Sequence, residues 1–180
     1  QTEYFGLVAV TAPGQSSSAS PIAILQLDSP LKYARTGRAY GLVHPTSQKP
    51  PNQTFVLDAR AEIALLTRNI VIQGTPDDFT GLQGDVKVTG GSDVRVYISN
   101  VALIDLGRRG QMGRYPLHFH GVGSGGANVV VRHSVVHRSS QRGIVVHCTS
   151  GATFANNVVA DVQGFAFMLE DGAEENNVFA

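Results

Sequence analysis

Short apolar runs rich in valine and isoleucine recur along the chain, broken by glycine, asparagine or serine. Within them apolar residues alternate with their neighbours at a period of two, the period of a β-strand. No stretch keeps a clean helical period beyond about two turns. Three segments align: Pro116–His120, Gly143–His147 and Gly164–Met168. The alternation predicts one core face carrying Leu117 and Phe119, Ile144 and Val146, and Phe165 and Phe167. His118, His120, Val145, His147, Ala166 and Met168 then point outward, with His120 and His147 side by side on adjacent strands.

A second pattern repeats on a longer scale. Asn or Ser followed by two mostly apolar residues appears at Asn69, Asn100, Ser134, Asn157 and Asn177, with spacings of 31, 34, 23 and 20 residues. Such periods mark stacked repeats. The pattern predicts an all-β, right-handed parallel β-helix, a pectate-lyase-like solenoid with about twenty residues per coil and occasional insertions. Asn suits the left-handed turns of such coils. The five positions are therefore expected in equivalent turns, with stacked amides bonding one another.

Residues 1–60 read as the end of a preceding β-rich domain and a linker. Strands are predicted at Leu7–Val10, Ile22–Leu27 and Phe55–Leu57. A serine run (Ser16–Ser20), a Gly37/Gly41 loop and a Pro50-Pro51 turn separate them. Residues 61–180 read as the β-helix coils. The last residues, Asn177–Ala180, open a coil without a polar cap, so a longer polypeptide is expected.

Charge changes the picture locally. The 180 residues carry a formal net charge of +0, which argues against a nucleic-acid partner. Yet Leu106–Ala160 holds no Asp or Glu, while containing Arg108, Arg109, Arg114, Arg132, Arg138, Arg142 and five histidines. That is a surface suited to an anionic ligand. The lone Cys148 cannot form a disulfide within the chain and is expected to be a small buried residue. Asn52-Gln53-Thr54 is a glycosylation sequon, which fits secretion. Gln1–Val10 lacks a basic leader, and no run approaches the roughly 18 apolar residues of a membrane span.

Several strings together resemble the fibrocystin-L family, which includes the cell-migration-inducing and transmembrane hyaluronidases. They are Leu31-Lys32-Tyr33, Arg60–Ile63, Leu66–Ile72, Gly113-Arg114-Tyr115-Pro116-Leu117-His118-Phe119-His120 and Leu169–Glu174. The likeness runs from about Leu25 to the C-terminus. It implies a β-domain named for its eight glycines followed by a parallel β-helix. It also implies an extracellular or cell-surface setting, and hyaluronan as a ligand that some members depolymerise. Two positions depart from the family pattern. Arg35 stands where a histidine is usual, and Phe165 follows Gly164 where Gly-His is usual.

The residues offer three kinds of chemistry. His118 and His120, two apart on one strand, could share a metal, with His147 as a third ligand. With no carboxylate nearby in sequence and arginines around them, no metal or other cofactor is expected. Arg114 and Arg142, with His118, His120 and His147, are the candidate glycan-binding set, because guanidinium groups hold carboxylates bidentately. Glu170 and Asp171 are the candidate catalytic carboxylates of a polysaccharide-depolymerising glycosidase. Glu170 paired with Asp105 or Asp161 is the other acid pair considered, and a turn capping backbone amides is the structural alternative. The leading expectation is an extracellular β-helix segment that binds, and on the resemblance depolymerises, an anionic glycan such as hyaluronan. The alternative is a non-catalytic adhesive stalk of a fibrocystin-like surface or ciliary protein, membrane-anchored outside this segment.

Overall fold

The computed structural model describes residues 3–11, 24–43, 54–75 and 80–180. It has two compact units, Gln1–Ile63 and Ala64–Ala180. In the first, β1 (Leu7–Thr11) pairs antiparallel with β2 (Ile24–Leu27), and β3 (Ala39–Val43) with β4 (Thr54–Asp58). Gly41 lies inside β3 opposite Val56, so the loop expected there is a strand. The Glu3 carboxylate accepts from the Lys32 backbone at 2.7 Å and pairs with Arg35. The serine run, the Pro50-Pro51 turn and the sequon at Asn52 lie outside the described residues.

The second unit is a parallel β-helix. Its strands are β5 (Ile70–Gln73), β6 (Lys87–Thr89), β7 (Val96–Ser99), β8 (Val101–Ile104), β9 (Leu117–Gly123), β10 (Val129–Arg132), β11 (Val135–Ser139), β12 (Ile144–Thr149), β13 (Thr153–Ala155), β14 (Val158–Val162), β15 (Phe167–Leu169) and β16 (Val178–Phe179). They form three four-stranded sheets, ordered β14-β11-β8-β5, β15-β12-β9-β6 and β16-β13-β10-β7. Every pairing within the three is parallel. No α-helix occurs among the described residues; a 3₁₀ turn covers Ser124–Asn128. A parallel pair needs a crossover connection, and here each coil itself is that connection.

Apolar side chains from all three sheets meet inside: Leu103, Leu117, Phe119, Val131, Ile144, Val146 and Phe154 are buried together. The predicted core face therefore holds for its first two segments. The third is displaced by two residues, because Ile144 aligns with Phe167 and Val146 with Leu169. A two-residue slip keeps the alternation, so the periodicity could not reveal it. Phe165 is 63% exposed rather than buried, and Phe167 is 40% exposed. Phe167 still meets Phe179, with ring centroids 5.8 Å apart. The outermost strands have a neighbour on one side only, which leaves such apolar residues partly bare.

The asparagine repeat also needs correction. Asn69, Asn100, His133 and Asn156 align across the first sheet, one residue before Ser134 and Asn157. The left-handed turn falls on Asn100, His133 and Asn156, with φ of 57°, 50° and 53°. Asn157 is a staple instead. Its Oδ1 accepts from the Ser134 N–H at 3.0 Å, and its Nδ2 donates to the Val131 carbonyl at 2.8 Å, both on the coil before. Asn177 sits at a different corner, ahead of β16, and makes the same two bonds to the Ala152 N–H and the Thr149 carbonyl, each 2.9 Å. The amides thus bond backbone, which a single strand spacing brings within reach, rather than one another.

Candidate functional site

The polar cluster lies on the outer side of the β15-β12-β9-β6 sheet. Register sets it up. His147 pairs with His120, and Glu170 follows β15 with its N–H bonded to the Val146 carbonyl at 2.9 Å, which brings it alongside His147. Gly143 lets the next coil approach at this point; a Cβ there would overlap the Ala166 carbonyl oxygen. His118, expected in solvent, points outward but is only 1% exposed. The Tyr115 ring packs against it at 4.9 Å, and the Gly113 carbonyl lies 3.1 Å from its Nδ1. Alternation gave its direction correctly but could not show the cover.

Glu170 is the hub. Its Oε1 accepts from the Tyr115 hydroxyl and from Arg142 Nη1, both at 2.6 Å. The same Nη1 lies 2.7 Å from the Tyr115 oxygen, and the guanidinium carbon sits 5.1 Å from that ring's centre. Its Oε2 is 3.7 Å from His118 Nε2 and 3.9 Å from His147 Nδ1. His147 Nε2 is 3.2 Å from Asp171 Oδ2, and the Cys148 thiol donates to the same oxygen at 3.0 Å. His118 and His147 rings are stacked with centroids 6.1 Å apart, and exposed His120 meets both edge-on at 5.1 and 4.6 Å.

These contacts set the protonation states. Burial pushes the Glu170 carboxyl up, but the hydrogen bonds from Tyr115 and Arg142 outweigh it and hold it below the usual range. It is a fixed anion rather than a proton donor. Burial holds the His118 imidazole below the ordinary histidine value. The Tyr115 hydroxyl is raised by burial and by the Glu170 carboxylate. The Asp171 hydrogen bond raises the Cys148 thiol, which keeps it protonated and unreactive. Cys148 is exposed, not buried as expected, because its left-handed backbone (φ 45°) turns the strand there.

The structure thus brings Arg142, His118, His147, Glu170 and Asp171 together, with His120 at the edge. Both carboxylates reach His147, Glu170 at Nδ1 and Asp171 at Nε2, because β15 ends at Leu169 and strand alternation no longer separates them. Arg114 stands apart from these contacts, half exposed, its Nη1 3.4 Å from Asp85. Asp105 belongs to another sheet and is held by Arg138 and Gln73. The turn-capping acid is Glu174, which accepts from the backbone of Cys148, Asp171 and Gly172. Tyr115 escaped sequence reasoning as a site residue, although it lies inside the Gly113–His120 string. Its distance of 55 residues from Glu170 hides the bond.

Comparison with known proteins places this arrangement. The family model "CEMIP beta-helix" matches residues 82–180, more than half of the chain and all of the cluster. The chain belongs to the CEMIP β-helix family. It is similar to the cell surface hyaluronidase of Danio rerio, 34% identical over 68% of the chain. It is also similar to the cell surface hyaluronidase CEMIP2 of Homo sapiens, 37% identical over 67%, and to fibrocystin-L of Mus musculus, 30% identical over 76%. The matches span 10%, 10% and 4% of those relatives, so the chain corresponds to a small part of each. No solved structure matches.

Proposed function

We propose that this CEMIP-family β-helix works outside the cell or at its surface and binds an anionic polysaccharide such as hyaluronan across its histidine face. The observation that carries the reading is the cluster built from three successive coils around Arg142, Glu170, His118 and His147. Similarity to proteins named cell surface hyaluronidase supports the choice of polymer. A long, regular β-helix side presents donors at a repeating spacing, and a uronic acid polymer presents carboxylates at its own. Titration with hyaluronan oligosaccharides tests this. Binding should weaken as salt rises and tighten in acid, where imidazoles gain charge. Arg142→Ala should weaken it about tenfold, the scale of a charge-assisted contact. Sizing the polysaccharide after incubation tests whether Glu170 and Asp171 also break its chain.

One observation favours a second reading, the non-catalytic stalk. Arg142 is already engaged by Glu170 and Tyr115, as a structural clamp would be. Absence of binding at low salt and acid pH would end the glycan reading and make the stalk the better account.

A further inference from the structure

Two imidazoles on the histidine face each have one nitrogen facing an acceptor. His118 Nδ1 lies 3.1 Å from the Gly113 carbonyl, and His147 Nε2 lies 3.2 Å from an Asp171 oxygen. A carbonyl only accepts, so His118 Nδ1 carries the proton, and the Asp171 charge favours the proton on the His147 nitrogen nearest it. In a neutral ring the other nitrogen then presents a lone pair. Those other atoms, His118 Nε2 and His147 Nδ1, are buried and have no hydrogen-bond partner among the described residues. Both face Glu170 Oε2, at 3.7 and 3.9 Å. Two lone pairs and an anionic oxygen repel one another, and an unsatisfied buried acceptor is costly. The arrangement is stable when a cation sits among them.

We propose that His118 Nε2, His147 Nδ1 and Glu170 Oε2 bind a divalent transition-metal ion of the zinc type. The three atoms lie within 4.8 Å of one another. Ligands roughly 2.1 Å from a tetrahedral ion stand about 3.4 Å apart. The two separations from Glu170 Oε2, 3.7 and 3.9 Å, therefore close by a few tenths of an ångström, and the two imidazole nitrogens, within 4.8 Å of one another, draw together with them. Two imidazoles and a carboxylate suit zinc and its neighbours, whereas calcium and magnesium prefer all-oxygen shells. The Gly113 hydrogen bond to His118 and the Asp171 carboxylate beside His147 are the kind of outer contacts that orient metal-binding histidines. The Asp171 charge behind His147 offsets Arg142, which occupies only Oε1 and leaves Oε2 available. Three protein ligands leave a fourth position for water or a ligand. The carboxylate missing near the histidines in sequence is supplied by Glu170 from the next coil.

The test uses the intact protein, stripped with a chelator, loaded with Zn²⁺, gel-filtered and assayed for bound metal. Wild type should retain one equivalent more than His147→Gln and Glu170→Gln, while His120→Gln should match wild type. Asp171→Asn should bind about 10–100-fold more weakly through loss of the carboxylate beside His147. Loading wild type with Co²⁺ should give the intense visible bands of a four-coordinate site, a readout independent of whether any variant folds. Equal metal in wild type and in folded His147→Gln and Glu170→Gln, or absence of those bands, would overturn the proposal. No polysaccharide is present, so failure here leaves the glycan reading standing, and failure of glycan binding leaves the metal count unchanged.

Discussion

The same solenoid carries two polar clusters on its outside, each assembled from three coils, and they are built to different standards. Around Asp105, Arg138 donates from Nε and Nη2 to the two carboxylate oxygens at 2.7 Å each, and Gln73 adds a third bond at 2.8 Å. Asp105, Arg138 and Asp161 align at one corner, and all have left-handed backbones, with φ of 53°, 56° and 54°. There the polar contacts close a turn that three successive coils repeat. Around Glu170 only one carboxylate oxygen is satisfied so fully, and two buried histidine nitrogens are left without partners. The Glu170 cluster departs from this closed pattern.

Breaking the closed cluster should cost most. Asp105→Ala removes three hydrogen bonds and places Ala in a left-handed turn, which alone costs about 1–2 kcal/mol. With the lost charged bonds, offset because Arg138 is half exposed, equilibrium unfolding should show a loss of about 3 kcal/mol. Asn157→Leu should cost about 2 kcal/mol, since it strands the Ser134 N–H and the Val131 carbonyl between coils. Thermal melts unmoved by that substitution would remove the staple role assigned to Asn157.

Acid sharpens the comparison further. The hydrogen bond from Arg138 holds the Asp105 carboxyl below its ordinary value, and burial only partly opposes it. A carboxyl depressed in the folded state binds its proton more readily when unfolded. Its stabilisation is thus fully present above the unfolded value of about 3.9 and is lost as pH falls through the lower folded value. Stability followed below about pH 4 should fall less steeply in Asp105→Asn than in wild type. Equal slopes would mean that this ion pair does not contribute to acid stability.

How much of this could be read in the sequence follows from the range of each interaction. Strand alternation is local, so Leu117, Phe119, Ile144 and Val146 were legible as core and His120 and His147 as neighbours. Stacking register is not local. A slip of two residues at β15 keeps the alternation, and a slip of one at Asn100 is masked because Val101–Leu103 and Val135–Val136 are apolar on both faces; turn lengths, unseen in the pattern, set which residues align. The site shared that weakness. The pairing of Tyr115, Arg142 and Glu170 depends on three coils meeting, and the burial of His118 depends on Tyr115 covering it. The departure at Phe165 was legible as a difference, and the residue lies exposed across from Arg142 in register.

The smallest expected effect is the most informative. His147 is partly exposed, with its side chain 27% accessible, and its Nε2 makes one ion-pair contact, 3.2 Å from Asp171 Oδ2. In the closed cluster, loss of a member exposes its partners to a cost. In the open one, His147→Gln removes an acceptor that already lacks a partner, and relieves its repulsion with Glu170 Oε2. Denaturation in the presence of a chelator should therefore show a change within about 0.5 kcal/mol, the scale of a surface substitution. Added Zn²⁺ should then stabilise wild type and leave the variant where it was, because only a species bound by the folded state shifts its stability. A loss of 2 kcal/mol or more without metal, on the scale of a broken buried contact, would show that His147 serves the fold as Asn157 and Asp105 do. The two clusters would then be of one kind.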